Sequence, residues 1–337
     1  MGRASFKRAS FKRSWAAWAA SVLLAAGLLT YFLRGVDIDR IVGTALNASR
    51  GPFLAFLGLF GLGIAARTTR FWILLGRAVP FRTVLSITLI RNLLVDLLPA
   101  RLGELSYVYL VTTKGKRPLE DGVATLAIAF FLDLVALSPL VLAALLVVGG
   151  DTLVPPWIAW TASGVLAAGG LVAVVLAGPI ARRLGAWLER GGAARWKAAS
   201  AARLFALGAS FDHAKRERLL LPALVLSLAV RLCKYGSAYC LVLSLLAPLG
   251  YSMAQLGVLR IFLGSVAAEV AASLPVHGLA GFGTYEAAWT LTLEELGYPR
   301  DDAIISGLLA HAITQGLEYV LGGAALIWIF NRRQGAV

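Results

Sequence analysis

The sequence predicts an all-α, polytopic membrane protein, with about six full spans plus two re-entrant helical hairpins arranged as an inverted repeat. Three observations predict it. Apolar residues make up 59% of the 337 and charged residues only 15%, with a mean hydropathy of +0.77, whereas an average soluble domain is about 45–50% apolar and about 25% charged. The apolar residues come in long runs, several reaching the roughly 20 residues that a helix needs to cross about 30 Å of hydrocarbon. Two further apolar stretches are each broken midway by proline and glycine, with charges alongside.

The chain opens on a basic segment, residues 1–14, in which MGRASFKRASFKR carries five basic residues and a tandem RASFK. The apolar run Trp15–Leu33 follows. It exceeds the core of about 7–15 residues in a cleaved signal peptide and leads into Arg34 rather than a small-residue cleavage site, so it is expected to be retained as the first span. Further spans are expected at 53–75, 122–148, 157–177, 219–247 and 303–330. The formal net charge of +14 is concentrated at the N-terminus, at Lys114, Lys116 and Arg117, over residues 182–218, and at Arg332 and Arg333. None of these clusters belongs to a recognisable nucleic-acid-binding module, so no nucleic-acid partner is expected. Cytoplasmic loops near spans collect Lys and Arg, and anionic lipid headgroups are their natural contact. Placing every cluster inside gives six crossings with both termini cytoplasmic. Residues 178–218 then form a basic cytoplasmic linker, expected to lie as amphipathic helix on the membrane surface, with Leu184, Trp187, Leu188, Trp196, Leu204 and Phe205 as its apolar face. Residues 331–337 form a cytoplasmic tail.

Two apolar stretches remain, 83–112 and 254–298. The first reads TVLSITLIRNLLVDLL, then PARLGE, then LSYVYLV; the second reads AQLGVLRIFLGSVAAEVAASL, then PVHGLAGFG, then TYEAAWTLTLEELG. Each has an arginine in its first arm (Arg91, Arg260) and an acid later in that arm (Asp96, Glu269). Each breaks at Leu-Pro (Pro99, Pro275), passes through glycine (Gly103, Gly283), and meets a glutamate as the second arm begins (Glu104, Glu286). A re-entrant hairpin fits the first, whose opening arm is short for a span; the second is either re-entrant or two full spans. Each stretch lies between two full spans, so a span–hairpin–span unit occurs twice, at about 53–148 and 219–330, with opposite orientation. Inverted repeats with broken helices point to a transporter's binding site near the bilayer midplane. Irregular backbone at that depth is tolerated where protein or a water-filled cavity covers it.

Ionisable residues inside spans reinforce this. Asp133 sits deep in the span after the first stretch. His311, Gln315 and Glu318, at i, i+4 and i+7, share one helix face in the span after the second. Arg231 and Lys234 lie three apart in the span before it. Such groups mark pathways or relays, or pair with one another as structural glue.

Enzyme signatures are weak by comparison. GLAGFG at 278–283 joins two membrane segments, whereas a nucleotide fingerprint follows a strand and opens a helix. His311 and Glu318 make a poor metal site beside the three protein ligands of catalytic zinc, and no G-x-S-x-G elbow occurs. Cys233 and Cys240 read as small buried residues rather than a redox pair. No metal, cofactor or catalytic residue is expected, and the chain is expected not to be an enzyme.

LLPARLGE, followed by a span containing FLD and then by SLP…GFGTYEAA, resembles the transmembrane region of lysylphosphatidylglycerol synthases, the flippase-like membrane domain family. The similarity covers nearly the whole chain after the first span, making residues 15–330 one domain. The resemblance implies a bacterial cytoplasmic membrane and movement of lipids or lipid-linked intermediates between leaflets. Three positions depart from the family's pattern, with Phe130, Tyr285 and His311 where relatives often carry arginine, which leaves room for a substrate other than an aminoacylated phospholipid. The synthase half of the bifunctional relatives is not in this sequence, so no aminoacyl transfer is implied.

The leading expectation is therefore a lipid translocase with a polar cavity between inverted hairpins. Pro99, Gly103 and Gly283 shape its tips. Arg91, Arg101, Arg231, Lys234 and Arg260 meet an anionic headgroup, and Asp96, Glu104, Asp133, Glu269, Glu286 and Glu318 balance them or relay a proton, with His311 as a titratable member. The alternatives are an integral-membrane enzyme acting on a lipid headgroup through Glu104, Glu286 and His311, or a non-transporting scaffold for envelope lipid synthesis. A lipid-synthesis enzyme is a partner that the first and third readings allow.

Overall fold

The structure, a computed structural model, describes residues 37–98, 103–148, 155–190, 195–273 and 281–331, together with Gly27 and Thr30. The expected first span otherwise lies outside the described residues, as do both hairpin tips at 99–102 and 274–280. Among the described residues every regular element is helical. The order is α1 (Ile38–Leu46), α2 (Arg50–Leu74), α3 (Phe81–Leu97), α4 (Glu104–Thr113), α5 (Leu119–Val148), α6 (Pro156–Arg190), α7 (Arg195–Arg216), α8 (Leu220–Leu246), a 3-10 turn (Ala247–Leu249), α9 (Met253–Leu256), α10 (Val258–Ala272), α11 (Thr284–Glu295) and α12 (Arg300–Asn331).

Five of these helices are long and apolar enough to cross a bilayer: α2, α5, α6, α8 with its 3-10 extension, and α12. They correspond to the five expected spans after the first, and the chain is a multi-pass membrane protein. Their outward positions carry large apolar side chains, such as Val147 at 71% exposure and Val165 at 66%, which suits a helix wetted by lipid rather than water. The helices of the two broken stretches are shorter. At a rise of 1.5 Å per residue, the 17 residues of α3, 10 of α4, 15 of α10 and 12 of α11 give lengths of about 25, 15, 22 and 18 Å. None matches the roughly 30 Å hydrocarbon core alone. The first arms end at Leu97 and Ala272, two and three residues before Pro99 and Pro275, as helices usually end at or before the residue preceding a proline.

The chain divides into two compact units. One comprises residues 1–54, 93–103 and 238–319; the other comprises 55–92, 104–237 and 320–337. In the first unit, the second broken stretch folds as a packed pair, α10 against α11. Trp289 on α11, 1% exposed, lies against Gly264 and Gly307, where a Cβ would sit 3.4 Å and 2.5 Å from the indole, and its Nε1 donates to Ser306 Oγ at 3.3 Å. Glycine at 307 is therefore required by the close approach of the ring. Helix α1, capped by Asp37, leaves Ile38, Val42 and Leu46 exposed at i, i+4 and i+8, one apolar stripe of the kind that lies in a membrane interface. Arg40 on its other side pairs with Asp301 and Asp302 at 3.2 and 2.7 Å, and Tyr251 donates to Asp302 at 2.6 Å.

In the second unit, α5 packs on α6 and α6 on α7. Small residues allow the close approach, as is common between membrane helices: a Cβ on Gly170 would fall 2.6 Å from the Phe131 carbonyl, and one on Gly208 would fall 2.8 Å from Arg182 Cγ. Residues 178–190 differ from the expected surface helix. They continue α6 past Pro179, and Gly178 and Gly185 pack against α7, which carries Phe205 and Phe211 into the contact. Arg182 and Asp212 pair across it. The six apolar residues expected on one amphipathic face thus belong to two helices, and Phe205 faces protein rather than membrane.

Candidate functional site

Within the second unit the first broken stretch is held by charge. Arg91, near the middle of α3, donates Nε to Glu104 Oε2 at 2.7 Å and Nη2 to Oε1, the two-pronged guanidinium–carboxylate geometry that is both strong and orienting. Glu104 opens α4, where a carboxylate also suits the positive end of the helix dipole. The buried Asn92 amide oxygen accepts from Arg91 at 3.2 Å and from Arg67 on α2 at 2.9 Å. A Cβ on Gly103, in the first unit, would run into the backbone of Leu94 and Val95, so the turn into α4 depends on glycine there.

A second cluster lies one helix on. Arg70, 2% exposed, donates to Asp133 Oδ1 and to Ser227 Oγ at 2.6 Å, while Arg231 Nη2 approaches Asp133 Oδ2 at 3.4 Å. Among the described residues, Arg67, Arg70, Arg91 and Arg231 gather around Glu104 and Asp133 in these two clusters.

In the first unit, Glu286 is 2% exposed. Its Oε2 accepts the Gly283 N–H at 2.6 Å and its Oε1 lies 2.6 Å from His311 Nδ1. Gly281 and Gly283 have φ of +78° and +88°, left-handed values that glycine adopts without steric penalty, and they bring the chain round so that this N–H points at the carboxylate. The His311 ring is stacked between Phe282 and Tyr285, with centroids 4.5 and 4.2 Å away. Gln315 Nε2 lies 3.2 Å from His311 Nε2, and Gln315 Oε1 is buried without a hydrogen-bond partner. Both ring nitrogens of His311 thus have a polar neighbour, Glu286 on one side and the Gln315 amide on the other.

The structure thus brings together Arg91 with Glu104, Asp133 with Arg231, and Gly283 with Glu286 and His311. Pro99, Arg101 and the side chain of Asp96 lie outside the described residues. Lys234 and Arg260 are exposed and Glu269 and Glu318 are half-buried; the Arg260 guanidinium lies beside the Tyr298 hydroxyl, and the Glu269 carbonyl accepts from Ser273 at 2.5 Å. Sequence reasoning missed Arg67, Arg70, Asn92, Ser227 and the stacking role of Phe282 and Tyr285. The one available signal was the pair Arg67 and Arg70, three apart and one turn before the end of an apolar run.

These features define a class: a multi-pass helical membrane protein with two broken helices and arginine–carboxylate clusters set among its spans. Residues 18–322 match the lysylphosphatidylglycerol synthase TM region, and the chain belongs to that family. Comparison with curated proteins and with solved structures found no match.

Proposed function

We propose that the chain is a lipid translocase, moving an anionic phospholipid or lipid-linked envelope intermediate between the leaflets of a bacterial cytoplasmic membrane. The observation that carries this reading is the pair of arginine–carboxylate clusters set inside membrane helices, Arg91 with Glu104 and Arg70 with Asp133. Charged residues in membrane helices are expensive and mark pathways, and guanidinium forks match phosphate geometry. The two broken helices support an inverted arrangement of two re-entrant hairpins, because their arms are too short to span singly. Membership of the family adds a lipid-related role.

Sealed liposomes loaded with a panel of labelled lipids test the activity: wild-type protein is expected to equilibrate an anionic lipid between leaflets, and no lipid in the panel moving above protein-free background overturns the reading. Glu104→Gln is expected to slow movement by on the order of tenfold or more, because it removes a charge-assisted bond to Arg91, while leaving extraction and melting close to wild type.

The Glu286–His311 pair favours a second reading, an enzyme using carboxylate and imidazole as acid and base on a lipid headgroup. Their burial, 2% and 6% exposed, argues against direct access to substrate. An enzyme changes a covalent bond in detergent; a translocase needs a sealed bilayer and changes none.

Topology is testable separately. In a background lacking Cys233 and Cys240, a cysteine at position 116 is expected to label only from the cytoplasmic side and one at 299 only from the outside. Labelling of 299 from the cytoplasm contradicts the inverted arrangement.

A further inference from the structure

At the end of the second unit where α2 stops and α5 begins lies a cavity of about 390 Å³, within the range of about 300–1,000 Å³ usual for small-ligand sites. Three segments distant in sequence build it: the turn after α2, the first turns of α5 and the last turns of α7. Its wall is partly apolar, with the buried Leu75 and Ile128, and its polar members are Arg117, Asp121, His213 and Arg216. This is none of the clusters described above.

The carboxylate in the cavity is already engaged. Asp121 Oδ2 accepts from Arg117 Nη2 at 2.7 Å, and Oδ1 accepts from Ser210 Oγ at 2.8 Å. Asp121 therefore fixes Arg117 in place rather than repelling an anion freely. Arg117 Nε is buried and has no hydrogen-bond partner, so one donor of a positioned guanidinium stands unused in a shielded place, where leaving it unpaired is unfavourable. Arg216 makes no ion pair among the described residues and is exposed at the cavity. The imidazole of His213 adds a third potential donor. The surrounding loops carry Lys114, Lys116 and Arg218, a positive field that concentrates anions locally.

We propose that this cavity binds a phosphate ester, held by Arg117 and Arg216 with His213 assisting, its glyceryl or comparable apolar part lying against Leu75 and Ile128. Two guanidiniums select phosphate over a lone carboxylate because the planar fork matches its oxygens two at a time. The phosphate belongs either to the headgroup of a lipid in the adjacent leaflet or to a free phosphorylated metabolite. The site does not depend on lipid movement, since binding is measured without a second leaflet.

The test uses the full chain in neutral detergent and equilibrium binding of three probes: a short-chain phosphatidylglycerol, glycerol 3-phosphate, and a short-chain diacylglycerol without phosphate. At least one phosphate ester is expected to bind and the diacylglycerol to bind far more weakly. R216Q, at an exposed position, and R117Q are each expected to weaken that binding about tenfold, the loss of a charge-assisted bond, whereas K197Q on the same helix as Arg216 leaves it unchanged. Tight phosphatidylglycerol with weak glycerol 3-phosphate identifies a lipid headgroup; comparable binding of both identifies a free ester. Wild-type affinity in R216Q, loss equal to that in K197Q, or no binding of either ester overturns the site. If R117Q fails to fold, R216Q alone decides.

Discussion

Replacing Asp133 with alanine is expected to destabilise the folded chain by about 3–5 kcal/mol, the loss that follows when one partner of a buried ion pair is removed. Arg70 is 2% exposed and cannot shed its charge, since guanidinium stays protonated in proteins. Its remaining partner would be the Ser227 hydroxyl at 2.6 Å, which carries no charge, and its Nε is already without one. Arg231, 3.4 Å from the same carboxylate, would then add repulsion between like charges. Thermal unfolding of detergent-extracted protein, followed by size-exclusion chromatography, reads the effect directly. Exchanging both partners for apolar residues of similar size, Arg70→Met with Asp133→Leu, is expected to recover part of the lost stability, because it removes the buried Arg70 charge while Arg231 still loses its carboxylate. It is also expected to stay inactive in liposomes, as it removes both the cation and the acid from the proposed path. An Asp133→Ala protein that melts within a few degrees of wild type would show that the pair adds little to the fold.

How much of this was visible in the chain follows from the physics of each feature. The spans were readable because a helix in lipid must satisfy its backbone internally and present apolar side chains outward, so α2, α5, α8 and α12 follow from composition alone. The breaks were readable because proline marks them. Helix α6 was read too short: Pro179 invites an ending after 177, yet a membrane helix tolerates proline where neighbouring groups compensate, and Gly178 and Gly185 give the extension a surface for α7 to pack on. Arg67 and Arg70 were hidden for a different reason. Arginines one or two turns from the end of an apolar run look like ordinary positive-inside residues, and only the packing of α2 places Asp133, 63 residues away, beside Arg70. Likewise, Glu286 and His311 were each conspicuous, but their contact across 25 residues depends on how α11 and α12 meet, which no periodicity encodes. The two glutamates and the aspartate were legible from their places after the breaks and deep in a span, and Arg231 as a partner of Asp133 from its own intramembrane position; the partners Arg70 and Ser227 were not.

Lipid movement is expected to depend on His311, which is 6% exposed and lies beside the buried Glu286. The ring's Nδ1 lies 2.6 Å from Glu286 Oε1 and its Nε2 lies 3.2 Å from the Gln315 amide. The ring also lies between the faces of Phe282 and Tyr285, which fix its plane. Among the described residues, the titratable side chains in direct contact with it are Glu286 and Tyr285, both on α11. His311→Ala is expected to lower activity by on the order of tenfold, because among the described residues it leaves the buried Glu286 carboxylate with the Gly283 N–H as its remaining partner. Gln315→Leu removes the amide beside Nε2 but keeps the contact between His311 and Glu286, so it is expected to lower activity less. Rates in sealed liposomes read both effects, and wild-type movement in His311→Ala would show that the pair plays no part in it.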